Sequence, residues 1–225
     1  MQSAREKPHF PPVEAASPDG VLFVGGSLAP DWMLEAYRRG IFPMPIRIDG
    51  RRLIAWLSPD PRGVLEFDAL HISRRVARRL KRGEFQFTIN RAFSEVVEFC
   101  AAPRGCDGDC WLTLSMQNAY VTLHQLGHAH SIEVWRDQRL VGGLFGVAIG
   151  AAFAAESMFY RTTDASKAAL FYLIQHLTSR RFELLDVQWT NSHTRRLGAR
   201  DIPRDEYISR LKLASARNVS FLSGL

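Results

Sequence analysis

"HSIEVWRDQRLVGGLFGVAIGAAFAAESMFYRTTDASKAALFYLIQHLTSRRFELLDVQW", residues 130–189, carries the order of elements that decides the fold. HSIEVWR, RLVGGLFGVAIG and AAFAAESMFY are strand-length apolar runs, and only the short joints Asp137-Gln138 and Gly150 separate them. Joints that tight predict an antiparallel meander. SKAALFYLIQHLTSR then repeats its apolar residues at helical spacing, with Asp164 or Thr163 placed to cap it, and ELLDVQWT follows as a further strand. A helix laid on a mixed, largely antiparallel sheet makes the class α+β.

Upstream, FQFTI reads as a strand, and helices are expected over about Ala92 to Cys100 and Ser115 to Leu126. The first sixty residues have a different texture, rich in Pro and Gly. Pro30 opens a short helix there that runs to about Arg39 and ends at Gly40. The Ser58-Pro59-Asp60-Pro61 segment marks a boundary, giving a small N-terminal domain over 1–60 and a larger domain over 61–225. At 225 residues and 46% hydrophobic, the chain can build a substantial core.

Several classes are disfavoured by what is missing. The longest apolar stretch, Val141 to Ala155, is broken by glycines and falls short of the ~20 residues that span a bilayer. MQSAREKPHFPPVE has charges and prolines where a secretory signal needs an apolar run, so no membrane partner and a cytoplasmic location are expected. Cys100, Cys106 and Cys110 are an odd set without an evident fourth zinc ligand, and read as reduced thiols with no metal. His124 and His128 sit one helical turn apart, but Gln125 stands where a zinc protease needs its Glu base. Those two and His130 are expected to be structural. Neither a G-x-S-x-G elbow nor a helix-opening phosphate loop is present.

The net charge of +6 and pI of about 9.6 favour an acidic partner. In HISRRVARRLKRGE, residues 71–84, Arg74, Arg75, Arg78, Arg79, Lys81 and Arg82 fall largely on one side of a helix with no acid between them. The cost of their mutual repulsion is offset when they replace the counterions of a nucleic acid and release these into solution.

Within the strands, three polar residues interrupt apolar runs. Glu156 lies in AAESMFY with Met158 on its face by alternation, and Asp186 and Gln188 share a face in LLDVQWT. A buried carboxylate is costly unless paired, so Glu156 either has a cationic partner in the fold or awaits one from a substrate. The three can line a single pocket, or be exposed strand ends.

GIFPMP, SPDPRGVL, HISR, LGHAHSIEVW, LVGGLFGVAIGAAFAAESMF, DASKAAL and DVQWTNSHTRRLGA follow one another from about Phe10 to Tyr207. In order and spacing the chain resembles the bacterial leucyl/phenylalanyl-tRNA-protein transferases. The resemblance implies an aminoacyltransferase that moves Leu, Phe and, less readily, Met from aminoacyl-tRNA to an N-terminal Arg or Lys of a protein. The product is an N-end rule degradation signal. It further implies a larger domain similar to the GNAT acyltransferases, no cofactor, and a monomer. YRTTDAS stands where GNAT enzymes carry the Gly-rich loop that cradles coenzyme A, which favours a tRNA donor. A GNAT-type N-acyltransferase using acyl-CoA is the alternative, and a non-catalytic RNA-binding protein a third reading.

By the same resemblance, Asp186, Gln188 and Glu156 are the catalytic candidates. Gln188 is not basic, but its carboxamide oxygen can accept a hydrogen bond from the attacking amine, with Asp186 orienting it. Glu156 is the candidate contact for the cationic acceptor. Leu144, Phe153, Met158, Leu170, Leu173 and Leu185 are expected to wall the pocket for the donor side chain, with Trp111 stacking on the terminal adenosine. Asn191 and His193 are expected to complete the polar site. The basic helix becomes the tRNA contact. The chain departs from the family at Met44, where the motif "FPW" often has Trp, and at Leu144 and Leu173, where larger or softer side chains are common.

Overall fold

The computed structural model describes residues 7–102 and 111–222. Strand β1 (Val21–Val24) leads to helix α1 (Pro30–Arg38), which opens on a proline whose missing N–H costs nothing at that position. Strands β2 (Phe42–Ile48) and β3 (Arg51–Leu57) follow, joined through Asp49 and Gly50 at positive φ. With β3 in the middle, these three strands form an antiparallel sheet of their own. Next come β4 (Arg62–Val64), α2 (Arg74–Lys81), β5 (Gln86–Ile89), α3 (Phe93–Ala101) and α4 (Leu114–Gln125). The chain continues as β6 (Ala129–Arg136), β7 (Arg139–Ile149), β8 (Ala152–Tyr160) and α5 (Ala165–Ser179). It closes with β9 (Leu184–Gln188), α6 (Ser192–Arg196), β10 (Arg200–Ile202) and α7 (Arg204–Ser215).

The second sheet has seven strands in the order β10-β4-β9-β8-β7-β6-β5, antiparallel throughout except between β8 and β9. Meander, helix and closing strand therefore occur as the sequence predicts, with β9 parallel to β8, and the class is α+β. β7 reads as a near-continuous apolar run because both its faces are covered. Phe145 and Val147 pack with Val96, Met116 and Leu123 of α3 and α4 and with Trp32 of α1. Leu144 and Val141 pack on the opposite side with Leu170, Leu173 and Leu177 of α5. Gly142 permits that second layer to close, since a Cβ there would lie 2.5 Å from the Cβ of Ala165. Phe42 and Trp56 of the small sheet join the first apolar cluster, so the two sheets share one core.

Two irregularities shape the site. Phe145 pairs with Ser157 and Gly146 with Ala155, which leaves Glu156 as the extra residue of a β-bulge. The parallel pairing of β8 with β9 runs from Ala152↔Leu184 to Ala154↔Asp186 and stops, and beyond it a cavity separates the two strands.

The bulge overturns the alternation expected of β8. Glu156 turns toward Tyr37 and Tyr120 beside the first cluster, while Met158 packs with the second. Asp164 also departs from its expected role. It sits at the cap position of α5 with φ +72°, but its carboxylate caps no backbone N–H and instead receives Arg75 of α2 at 2.8 and 2.7 Å. The strands of the N-terminal sheet, β4, β10 and α7 were not foreseen.

Candidate active site

The cavity between β8 and β9 has a volume of about 310 Å³. Leu65, Leu144, Met158, Leu170, Val187 and Leu197 give it apolar walls, and Glu156 and Gln188, from the two separated strands, meet in its wall. Gln188 Nε2 donates to Glu156 Oε1 at 3.0 Å. Because the bulge puts Glu156 out of register and Gln188 has φ +63°, both side chains reach a point that regular strands would not deliver them to.

Glu156 is 9% exposed, and its partners are neutral donors. The Tyr37 hydroxyl donates to Oε1 at 2.7 Å and the Tyr120 hydroxyl to Oε2 at 2.8 Å, in addition to Gln188. Burial pushes the carboxyl up to about 7, the Asp186 charge adds to that shift, and the three hydrogen bonds restrain it. Burial also holds both tyrosines well above the ordinary phenol value, with the Glu156 charge next in importance.

Asp186, 2% exposed, is held differently. Arg62, itself 1% exposed, donates to Oδ1 from Nε at 2.9 Å and to Oδ2 from Nη2 at 2.6 Å. Tyr207 Oη donates to Oδ2 at 2.8 Å, and the backbone N–H of Gln188 donates to Oδ1 at 2.8 Å. The guanidinium is wedged between the rings of Phe42 and Tyr207, 4.8 and 4.4 Å from their centroids, and gives Nη1 to the Gly40 carbonyl at 3.0 Å. Burial alone would lower the Arg62 pKa, but Asp186 holds it above the ordinary arginine range. Asp186 thus fixes the backbone of Gln188 in its left-handed turn and does not touch the carboxamide.

Of the residues singled out in the sequence, Trp111, Leu144, Glu156, Met158, Leu170, Gln188, Asn191 and His193 line the cavity. Asp186 lies behind it. Phe153, Leu173 and Leu185 are buried in the α5-side core and do not reach the cavity wall. Asn191 caps α6, its Oδ1 accepting from the N–H groups of His193 and Thr194 at 2.8 and 2.9 Å. Burial, then the charges of Lys167 and Arg196, lower the His193 pKa. Met44 lies half-buried in β2 against the first core cluster.

The basic helix divides in two. Arg74, Arg78, Lys81 and Arg82 are exposed, whereas Arg79 is committed to Glu84 at 2.8 Å, the Thr163 carbonyl and Asp164, and Arg75 to Asp164. Glu84 at the end of the stretch and Asp164 from the start of α5 thus engage part of its basic face.

Among the described residues no group of three or more His, Cys, Asp or Glu is arranged to hold a metal ion. His124 gives Nδ1 to the Ala129 carbonyl at 2.8 Å and stacks on Phe93. His130 is buried against Phe221, and its pKa is depressed by that burial to about 3. Cys100 is buried, while Cys106 and Cys110 lie outside the described residues. The residues that sequence reasoning missed are Arg62, Tyr207, Tyr37 and Tyr120. Arg62 alone gave a signal, as the single cation within SPDPRGVL, two and three positions before Val64 and Leu65.

A family model described as leucyl/phenylalanyl-tRNA protein transferase matches residues 64–212, and its N-terminal domain model matches residues 26–60. The leucyl/phenylalanyl-tRNA–protein transferase of Azoarcus sp. (strain BH72) is 46% identical over 209 residues, which are 92% of this chain and 88% of that protein. The transferase of the same name from Edwardsiella ictaluri (strain 93-146) is 48% identical over 213 residues, 94% of this chain and 86% of that protein. Among solved structures, L-PGS from Bacillus licheniformis is 13% identical with a TM-score of 0.41, over 59% of this chain and 46% of that one.

Proposed function

This chain belongs to the leucyl/phenylalanyl-tRNA protein transferase family, and on that premise we propose that the cavity between β8 and β9 is its aminoacyl-transfer site. Leucine, phenylalanine and, less readily, methionine leave their tRNA there for an N-terminal Arg or Lys, creating an N-end rule signal. The observation that carries this reading is an apolar cavity with a carboxylate–carboxamide pair in its wall. The donor side chain occupies the apolar part and leaves its ester carbonyl beside Gln188. Such a pocket discriminates by only about 1–3 kcal/mol per methylene, which suits acceptance of several large apolar residues.

The α-amine attacks the ester carbonyl, the amide forms, and the tRNA ribose hydroxyl leaves with a proton. An α-amino group has a reference pKa of about 7.7–8.0, so a useful neutral fraction exists near pH 7 without a strong base. Orientation then supplies the larger share of the rate, roughly 7–11 kcal/mol for well-aligned reactants. Gln188 gives its NH₂ to Glu156, which leaves its Oε1 to accept from the attacking amine. Asp186 is a positioning residue, acting through the Gln188 backbone. Glu156 has no cation among its partners in the fold, so when ionised it can meet the acceptor's ammonium.

Trp111 stacks on the terminal adenosine, and the exposed face of α2 contacts tRNA phosphates without reading sequence. The alternative acyl-CoA donor finds no glycine-rich turn in YRTTDAS between β8 and α5. The division at residues 1–60 and 61–225, a monomer, and a cytoplasmic location complete the reading. No helix among the described residues is long and apolar enough to cross a membrane.

Radiolabelled leucyl-tRNA, with acetyl-CoA in a parallel reaction and an Arg-initiated peptide as acceptor, tests this function. Labelled peptide from the tRNA reaction alone is expected, and Gln188→Ala should lower the rate while sparing tRNA affinity. Acetylated peptide with no leucylated product would refute the reading.

A further inference from the structure

We propose that a second cavity, at the N-terminus of α5, is a phosphodiester subsite that takes the linkage between the last two nucleotides of the donor tRNA. The inference rests on the transfer reading above. This cavity, about 640 Å³, is lined by Phe99, Met158, Tyr160, Arg161, Ser166 and His193 among others, and Met158 and His193 also line the amino-acid cavity. The two therefore adjoin, so a substrate held in the first can extend into the second.

Three independent features point to an anion. The cap position of the 15-residue helix α5 is occupied by Asp164, whose carboxylate is drawn off to Arg75 and Arg79 and satisfies no N–H of its own helix. The first intrahelical bond runs from Ala168 N–H to the Asp164 carbonyl, so the N–H groups of Ser166 and Lys167 are among those a helix leaves open at its positive end. The Ser166 side chain is the second feature. The residue is 5% exposed, its hydroxyl makes no hydrogen bond among the described residues, and it faces this cavity. The hydroxyl is reached from the cavity, and a phosphate oxygen there would supply it with an acceptor. The third is Arg161, exposed, seated 3.6 Å from the Phe99 ring centroid, and without a carboxylate partner among the described residues.

Charge and shape agree on a nucleotide as occupant. No carboxylate lines the cavity among the described residues. Tyr160 leaves 66% of its surface exposed beside Arg161, a ring face on which a nucleobase can stack while its phosphate meets Ser166 and Arg161. Helix α2 and this subsite would then hold the same polyanion at two places, far apart in sequence and tied together by the Arg75–Asp164 pair.

The test compares natural leucyl-tRNA with leucyl-tRNA in which the last internucleotide linkage is an uncharged methylphosphonate. Wild type, Arg161→Ala and Ser166→Asp are assayed with an Arg-initiated peptide. Ser166→Asp repels phosphate, and although the helix dipole offsets only part of the cost of burying an acid there, circular dichroism and a thermal melt show whether the variant assayed is folded. For wild type, kcat/KM should fall about tenfold on neutralising the linkage, the size expected for losing a hydrogen-bonded charge. Each variant should lose about as much with the natural donor, and nothing further with the neutral one. Losses that multiply, or a wild type indifferent to the linkage, would overturn the subsite. Competition by coenzyme A that Ser166→Asp abolishes would also overturn it, by assigning the anion site to a pyrophosphate. A wild type inactive with natural leucyl-tRNA would instead sink the transfer reading beneath it.

Discussion

Asp186 and Glu156 are two buried carboxylates on neighbouring strands, and the fold treats them in opposite ways. Asp186 meets a buried guanidinium in a bidentate pair, a phenol and a backbone N–H. Glu156 meets two phenols and a carboxamide and no cation. The first arrangement pairs the carboxylate with a cation and uses it to set backbone geometry. The second leaves the carboxyl near 7, where a modest change of environment decides its ionisation. Residue type alone does not say how a buried carboxylate is held; here the partners differ in charge.

The comparison breaks most visibly at Arg62. Replacing it with Met leaves Asp186 buried and unpaired, and urea unfolding should show a loss of about 3–5 kcal/mol. Adding Asp186→Asn to that variant should recover part of the loss, because the stranded charge is then gone. A single Arg62→Met variant as stable as wild type would show that the pair is not what holds the β9 corner.

At Glu156 the sign is opposite. Its folded pKa is raised from 4.5 to about 7, so between those values the folded state binds the extra proton. The stability this contributes is fully present below pH 4.5 and is lost as pH rises through 7. A shift of that size corresponds to roughly 3 kcal/mol. Glu156→Gln should abolish this slope, as read from unfolding free energies across the interval. A slope unchanged in the variant would assign the titration elsewhere.

The smallest effect is expected on α2, where the same distinction between committed and available charge recurs. Arg74→Glu with Arg78→Glu should weaken tRNA binding with little change in stability, and lower the salt slope by about one for each phosphate no longer neutralised. Arg75→Ala should instead loosen the seat of α2 on α5, because its guanidinium is engaged by Asp164. Equal effects of the two changes on tRNA binding and on stability would erase the division of the helix into two faces.

The meander and β9 were legible as strand-length apolar runs between tight joints, α5 by its helical spacing, and the basic run at 74–82 by its charge. The N-terminal strands were hidden by prolines and glycines that read as loop. The polar triad itself was visible as charges in apolar strands, but its wiring was not. Strand alternation placed Glu156 with Met158, and a one-residue bulge moved it to the opposite side. Asp186 could not reveal Arg62, which stands 124 positions away, and Tyr37 and Tyr120 come from helices on another layer of the core. Spacing reports faces of one element, and these contacts join elements that only the finished fold brings together.

The central claim is that ionised Glu156 holds the Gln188 carboxamide for the attacking amine. Single-turnover leucine transfer to an Arg-initiated peptide, followed against pH in wild type and Glu156→Gln, tests it most directly. The acceptor amine is the same in both, so its own ionisation cancels in the ratio of the two rates. That ratio should rise with pH and level off, with a midpoint near 7. A ratio independent of pH would contradict the claim.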